Sequence, residues 1–237
     1  MAYYEIRTTK LEEFINCKYL YKFRPKATAT NQEAMDLGTK MHKSLQMYLQ
    51  SWRNYKAQEL LKEEYDPATT KFTDQVLALA DRCELPTLVA TELPYKAEFQ
   101  VGDDTLAITG TVDGIVDTGH MIDIKSSKWL RQESQLQYKR QRRIYPVLYA
   151  LARGKTEWMM KFDYRIFTKQ VKPQFQKFEM DVDISQHLDT LKRIAEQYVL
   201  AERSGIFEPN INSSACYYCP FAKDGTCPGK NKSNNFF

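Results

Sequence analysis

The segment from Gly110 to Lys128, Gly-Thr-Val-Asp-Gly-Ile-Val-Asp-Thr-Gly-His-Met-Ile-Asp-Ile-Lys-Ser-Ser-Lys, constrains this chain more than any other. It predicts two strands joined by a turn at Thr118-Gly119. In the first, Leu106, Ile108, Val112 and Val116 share one parity and Thr109, Thr111 and Asp113 the other, the period-two alternation of a strand with one buried face. In the second, Ile122 and Ile124 face one way, and Met121, Asp123 and Lys125 the other. Two carboxylates and an amine therefore gather on one sheet face.

The flanking sequence predicts what surrounds this pair. A helix is expected over residues 8 to 23, with Thr8 or Thr9 as cap and Glu12 completing a capping box. A second runs from about Glu33 to Trp52, where Gly38, Met41, His42, Leu45 and Leu49 form one stripe. His42 is aimed inward; taken alone, it reads as a core histidine. Residues 53–88 form a helical insertion over the sheet, ending near Cys83. A strand over Thr91 to Phe99 carries Glu92, by itself a surface glutamate and in company a further carboxylate for the same cleft.

After the Asp123-Ile-Lys125 strand, Gln132 to Arg153 reads as a long helix that Pro146 should kink or end near Tyr145. Gln137, Gln141, Tyr145 and Tyr149 stand at four-residue spacing, beside Lys139, Arg140, Arg142 and Arg143. That basic cluster is a solvated helix face in isolation and a phosphate-binding candidate next to carboxylates. Strands follow at Glu157 to Phe167 and Gln174 to Val182. A last helix from Ile184 to Arg203 turns Leu188, Leu191, Ala195 and Tyr198 inward and ends at Gly205.

Composition limits the function classes. With 237 residues and a formal net charge of +4, the chain fits one domain spanning 1–237, and its mild basic excess permits nucleic-acid binding without requiring it. No apolar run approaches the roughly 18 residues of a spanning helix, and Met1 to Lys10 is too polar for a secretion signal. A cytoplasmic location is expected. No phosphate loop of the G-x-x-x-x-G-K-[ST] type occurs, so any unwinding would fall to a partner.

Five cysteines without a signal peptide argue against a disulfide framework. Cys216, Cys219 and Cys227 lie within twelve residues in a loop suited to a metal centre, and a fourth ligand must come from Cys17 or Cys83. Four thiolates suit zinc and iron-sulfur clusters alike.

The chemistry that wants two carboxylates and a lysine is metal-assisted phosphodiester hydrolysis. Magnesium or manganese takes oxygen ligands, which Asp113 and Asp123 supply. Lys125, about 7 Å along the strand face from Asp123, can hold an attacking hydroxide or stabilise charge on phosphate. Alone, Asp-x-Lys also describes a surface ion pair.

The joint order is more specific than any part. Gly38-x-x-x-His42, Glu92, Gly110-x-x-Asp113, Asp123-x-Lys125 and Gln141-x-x-x-Tyr145, framed by Cys17 and the C-terminal cysteines, resembles the RecB-like branch of the PD-(D/E)XK nucleases. Within it, the pattern is similar to the iron-sulfur exonucleases, a group with the CRISPR-associated exonuclease of spacer acquisition and the nuclease domain of AddB. Val112 stands where the superfamily's proline would be.

The resemblance implies a restriction-endonuclease-like α/β fold, a mixed central sheet flanked by helices. It makes His42, Asp113, Asp123 and the Ile124 carbonyl the metal ligands and Lys125 the catalytic lysine, with Gln141 and Tyr145 ordering the site. Cys17, Cys216, Cys219 and Cys227 would hold a [4Fe-4S] cluster, with zinc as the alternative, joining Cys17 to segment 206–230 and closing a loop of about 200 residues. The implied activity is 5′ to 3′ exonucleolysis of single-stranded DNA in DNA processing, recombination or spacer acquisition, alongside a helicase or integrase. Trp129, Tyr138 and Tyr145 are candidates for base stacking. Two other classes compete: a DNA-binding or complex-forming platform on the nuclease fold, and an iron-sulfur redox protein.

Overall fold

The computed structural model describes residues 1–24, 88–116, 120–127, 129–132, 141–154, 159–168, 174–211, 216 and 219–229. The predicted helix carrying His42, the insertion at 53–87 with Cys83, the Thr118-Gly119 turn, Lys128, Gln137, Tyr138, Lys139 and Arg140 lie outside the described residues.

The chain opens with a strand that sequence patterning did not announce, β1 (Tyr3–Arg7). Helices α1 (Thr8–Asn16) and α2 (Lys18–Phe23) follow, where one helix was expected. They break at Cys17, whose backbone is extended at φ −164°, ψ 111°, and whose sulfur accepts the N–H of Leu20 as the cap of α2. The expected Thr8 or Thr9 cap with a Glu12 capping box does not form. Arg7 is the cap residue and makes no side-chain capping bond, because the Thr8 hydroxyl is already engaged with Tyr95 Oη at 2.6 Å and the Thr109 carbonyl at 2.9 Å.

Strands β2 (Leu88–Val101) and β3 (Asp104–Val116) form a long antiparallel hairpin, followed by β4 (Met121–Ser127). Helix α3 (Gln141–Ala152) leads to β5 (Met159–Thr168), β6 (Phe175–Asp183) and α4 (Ile184–Ser204), with a short α5 (Pro220–Lys223) near the end. Residue 132 is not helical, so the expected helix begins later than Gln132. Pro146 lies inside α3 without ending it. Its ring removes one backbone donor, and burial of every side chain from Ile144 to Ala150 offsets that loss. Gly205 closes α4 in the left-handed conformation at φ 68°, as its position predicted.

The six strands form one mixed sheet, β1-β3-β4-β5-β6, with β2 also on β3. β2 pairs with β3 from Asp104 to Val116, occupying one of its edges throughout. β1 and β4 must therefore share the other: β1 runs parallel along Thr105 to Thr109, and β4 pairs antiparallel at Gly114 and Ile115. Between them, residues 110–113 of β3 form the crotch of a fork.

The core lies over Leu106, Ile108 and Val112, with Leu11 and Phe14 of α1, Val147 and Leu148 of α3, and Leu191, Ala195 and Tyr198 of α4. β4 was expected to be half-buried. Instead Met121, Ile122, Asp123 and Ile124 are all 3% exposed or less. The cause is its central position, with β5 running parallel on one side and β3 on the other. Asp104, 1% exposed, accepts the Ala2 N–H at 2.7 Å and meets Arg203 Nε at 2.7 Å, fastening β1 and the end of α4 to the hairpin. No helix among the described residues is long and apolar enough to cross a membrane.

Candidate active site

The fork opens into a cavity of about 720 Å³ lined by Asp113, Asp123, Lys125 and Tyr145 at one end. Asp113 comes from the last residue of the crotch and Asp123 from the buried middle of β4. Asp113 Oδ2 accepts the Ile124 N–H at 2.7 Å, tying the two strands together just beyond their ladder. The Lys125 ammonium donates to Asp123 Oδ1 at 2.7 Å and stands 4.0 Å from Asp113 Oδ2. The lysine thus folds back along its own strand to neutralise both acids, rather than standing a full strand repeat away.

Burial pushes the Asp113 carboxyl above the ordinary range, while Lys125 and the Ile124 N–H pull it down. The charge of Glu92 adds to the rise. Glu92 is exposed on β2 and is the only residue other than glycine with positive φ, 47°, among those described. Its neighbours pair with Val112 and Gly114, so it sits level with Asp113 at the rim. Backbone strain of this kind is concentrated at functional sites.

Behind the carboxylates stands a wall of two tyrosines. Burial is the largest influence raising both the Tyr95 and Tyr145 phenols, and Glu12 and Asp123 add their negative charge. Glu12, expected in a capping box, thus faces the site from α1. Sequence spacing held one sign of this: Glu12 stands four residues after Thr8, on the same helix face. Tyr145 is 7% exposed and forms a wall, so it offers no stacking face for a base. Gln141 begins α3 one turn before Tyr145; His42 lies outside the described residues.

The cysteines gather at the opposite chain ends. Cys17 and Cys219 share one small buried cluster with Leu20, flanked by Tyr19 and Phe221. Asn210 donates its N–H to Cys17 Sγ at 3.5 Å and its carbonyl accepts the Cys216 thiol at 3.4 Å. Cys227 follows α5, its N–H bonded to the Phe221 carbonyl. None of the four forms a disulfide. Among the described residues, no group of three or more His, Cys, Asp or Glu is arranged to hold a metal ion. Among the described donors at the fork, Asp113 and Asp123 line the cavity itself, and their hard oxygens fit a divalent cation.

No curated protein matches the sequence. Among solved structures, the fold is similar to SSO0001, with a TM-score of 0.50, 19% identity and coverage of 95% of this chain and 87% of that one. It is also similar to a "Putative exonuclease" from Eubacterium rectale, at a TM-score of 0.55 and 12% identity, covering 93% of this chain and 87% of the other. These likenesses concern the fold alone. Residues 8–224, from the first turn of α1 to the end of α5, match the family described as the PD-(D/E)XK nuclease superfamily, and the span takes in β3 and β4 with Asp113, Asp123 and Lys125. With the match running over nearly its whole length, the chain belongs to the PD-(D/E)XK nuclease superfamily.

Proposed function

We propose that this chain is a metal-dependent exonuclease that hydrolyses phosphodiester bonds at the ends of single-stranded DNA, in the 5′ to 3′ direction. The observation that carries the reading is the convergence of Asp113, Asp123 and Lys125 in one cavity. Asp113 and Asp123, completed by the Ile124 carbonyl and His42, are the ligand set for magnesium or manganese. Such a cation supplies charge that lowers the pKa of water and screens phosphate. Lys125 holds the attacking water by hydrogen bonding and offsets charge developing on the phosphate. Tyr145 and Tyr95 keep the back of the site dry, and Gln141 orders the rim.

The single-strand preference is supported by Trp129 and Leu130, which are 59% and 41% exposed. The Gln176 side chain accepts from the Arg131 N–H at 2.9 Å and donates to its carbonyl at 2.7 Å, clipping this loop to β6. Gln176 stands in the cross-strand row of Lys125, through Ile166. An exposed aromatic two residues before the clipped Arg131 suits sequence-tolerant stacking of an unpaired base. The test is degradation of end-labelled single-stranded DNA with manganese. Mononucleotides released from the 5′ end support the reading, and intact DNA after prolonged incubation sinks it.

The four cysteines are proposed to hold a [4Fe-4S] cluster that fastens α2 to the C-terminal segment, its thiolates being soft donors suited to iron. Anaerobically purified protein is expected to carry about four irons and four sulfides per chain. Cys17→Ser should lose the iron and lower the melting temperature. Stoichiometric zinc in a colourless protein would overturn the assignment.

A further inference from the structure

The cavity does not end at the carboxylates. It continues along β3 past Thr111 and Gly110 to Thr109, where it is lined by Arg7, Thr9 and Lys96. These residues form an ordered row. Thr109 pairs with Arg7 of β1 on one side and with Lys96 of β2 on the other. Residues directly opposite each other in adjacent strands project to the same face, so Arg7 and Lys96 stand on either side of Thr109 on one face, their strands each about 5 Å from β3. Thr109, Thr111 and Asp113 share one parity, which makes the row and the carboxylate parts of a single track. Asp113 lies four residues beyond Thr109, about 13 Å along the strand.

The ends of the track have opposite chemistry. The acidic end suits a cation and a reacting phosphate. At the other end Arg7 is exposed, and among the described residues no carboxylate pairs with it. The Lys96 ammonium leans toward the next rows, 3.1 Å from Glu98 and 5.2 Å from the centre of the Tyr3 ring, an exposed pairing of small worth, so Arg7 is the stronger cation and Lys96 the weaker, adjustable one. The next row on the same face is acidic: Glu5 and Glu98 both pair with Ala107, and both are exposed. A polyanion running outward from the site meets attraction at the Arg7–Lys96 row and repulsion one row later. A cavity of this volume accommodates more than a single phosphodiester.

We propose that Arg7 and Lys96, flanking Thr109, form a subsite for one non-reacting backbone phosphate of the nucleic-acid strand whose scissile phosphate lies at Asp113 and Asp123. This rests on the nuclease reading of the fork and adds a positioning role for two residues that no motif marks. A guanidinium binds phosphate through a planar fork of donors, and the row of Glu5 and Glu98 limits the track to that one phosphate. The subsite anchors the strand and leaves the chemical step to the residues at the fork.

The test compares wild type, Arg7→Gln, Arg7→Lys and Lys96→Gln on a long single-stranded oligonucleotide and on bis(p-nitrophenyl) phosphate, which has no second phosphate. Arg7→Gln should raise KM for the oligonucleotide about tenfold, as expected for a lost charge-assisted hydrogen bond. Its kcat, and the rate on the small diester, should stay within about twofold of wild type. Arg7→Lys should recover most of the loss, and Lys96→Gln, away from any helix end, should shift KM in the same direction by less. The salt slope of single-strand binding by Arg7→Gln should fall by about 0.7, the value for one phosphate contact. Equal losses on both substrates, no change on either, or an unaltered salt slope would overturn the subsite. If wild type hydrolyses neither substrate, the nuclease reading fails, and the salt slope alone decides the subsite.

Discussion

Replacing Lys125 with methionine lowers the rate of DNA hydrolysis by about 100-fold or more, the usual loss when one preorganised electrostatic group leaves an active site, while manganese still binds. The expectation follows from the ammonium position, 2.7 Å from Asp123 Oδ1 and 4.0 Å from Asp113 Oδ2. In the resting protein that charge offsets two acids, one of them 3% exposed. Without it, Asp123 keeps a buried charge with less compensation, so the variant loses roughly 1–3 kcal/mol of stability in metal-free buffer. A divalent cation supplies the missing charge, and manganese should raise the melting temperature of the variant more than that of wild type. Turnover rates paired with melting curves at several manganese concentrations check both halves. A variant with full activity would remove Lys125 from the chemistry, and one that loses manganese binding would show that it serves to shape the ligand set.

Gly110→Ala is expected to be the most damaging substitution of a residue without a functional group. A β-carbon at this position falls inside van der Waals contact of the Tyr95 ring and hydroxyl and lies 2.8 Å from Thr8 Oγ1. None of these atoms moves easily. Tyr95 is 6% exposed, Thr8 is 2% exposed, and their mutual hydrogen bond ties the first turn of α1 to β2, as the bond from Thr8 to the Thr109 carbonyl ties it to β3 beside the crotch of the fork. Overpacking there, with loss of a buried hydrogen bond, costs about 3 kcal/mol, and displacement of Tyr95 opens the rear wall of the site. Denaturant unfolding measures the first effect and turnover the second. Tyr95→Ala should absorb the added methyl, so the double variant is less destabilised than the sum of the singles. Strict additivity would show that the clash is relieved elsewhere.

The elements built from local pattern were legible in the sequence. Alternation around Asp113 and Asp123 placed β3 and β4, and the apolar stripe with Gly205 placed α4, because these signals lie within one stretch of chain. The fork was not legible. β1 is five residues long and finds its partner about a hundred residues later in β3, and no periodicity in Tyr-Tyr-Glu-Ile-Arg encodes that pairing. The reading of Thr8 as a helix cap failed for the same reason, since its hydroxyl answers to Tyr95 and Thr109 across the fold. Pro146 misled because the propensity of a single residue was weighed without the burial that carries α3 through it. Arg7 and Lys96 escaped notice because only the register sets them beside Thr109. The roles of His42 and Gln141 rest on motif spacing, and those of Asp113, Asp123 and Lys125 have a shared cavity behind them as well.

Of all measurements, single-turnover cleavage of end-labelled single-stranded DNA in manganese, by wild type and Asp123→Ala in parallel, bears most directly on the fork as a hydrolytic site. Asp123 is buried at its centre, and losing it removes a proposed cation ligand together with the partner that positions Lys125. Wild type should degrade the DNA with manganese and not with chelator, and Asp123→Ala, folded by circular dichroism, should be slower by about 1,000-fold or more. Equal cleavage by the two proteins, or none by wild type, would contradict the account.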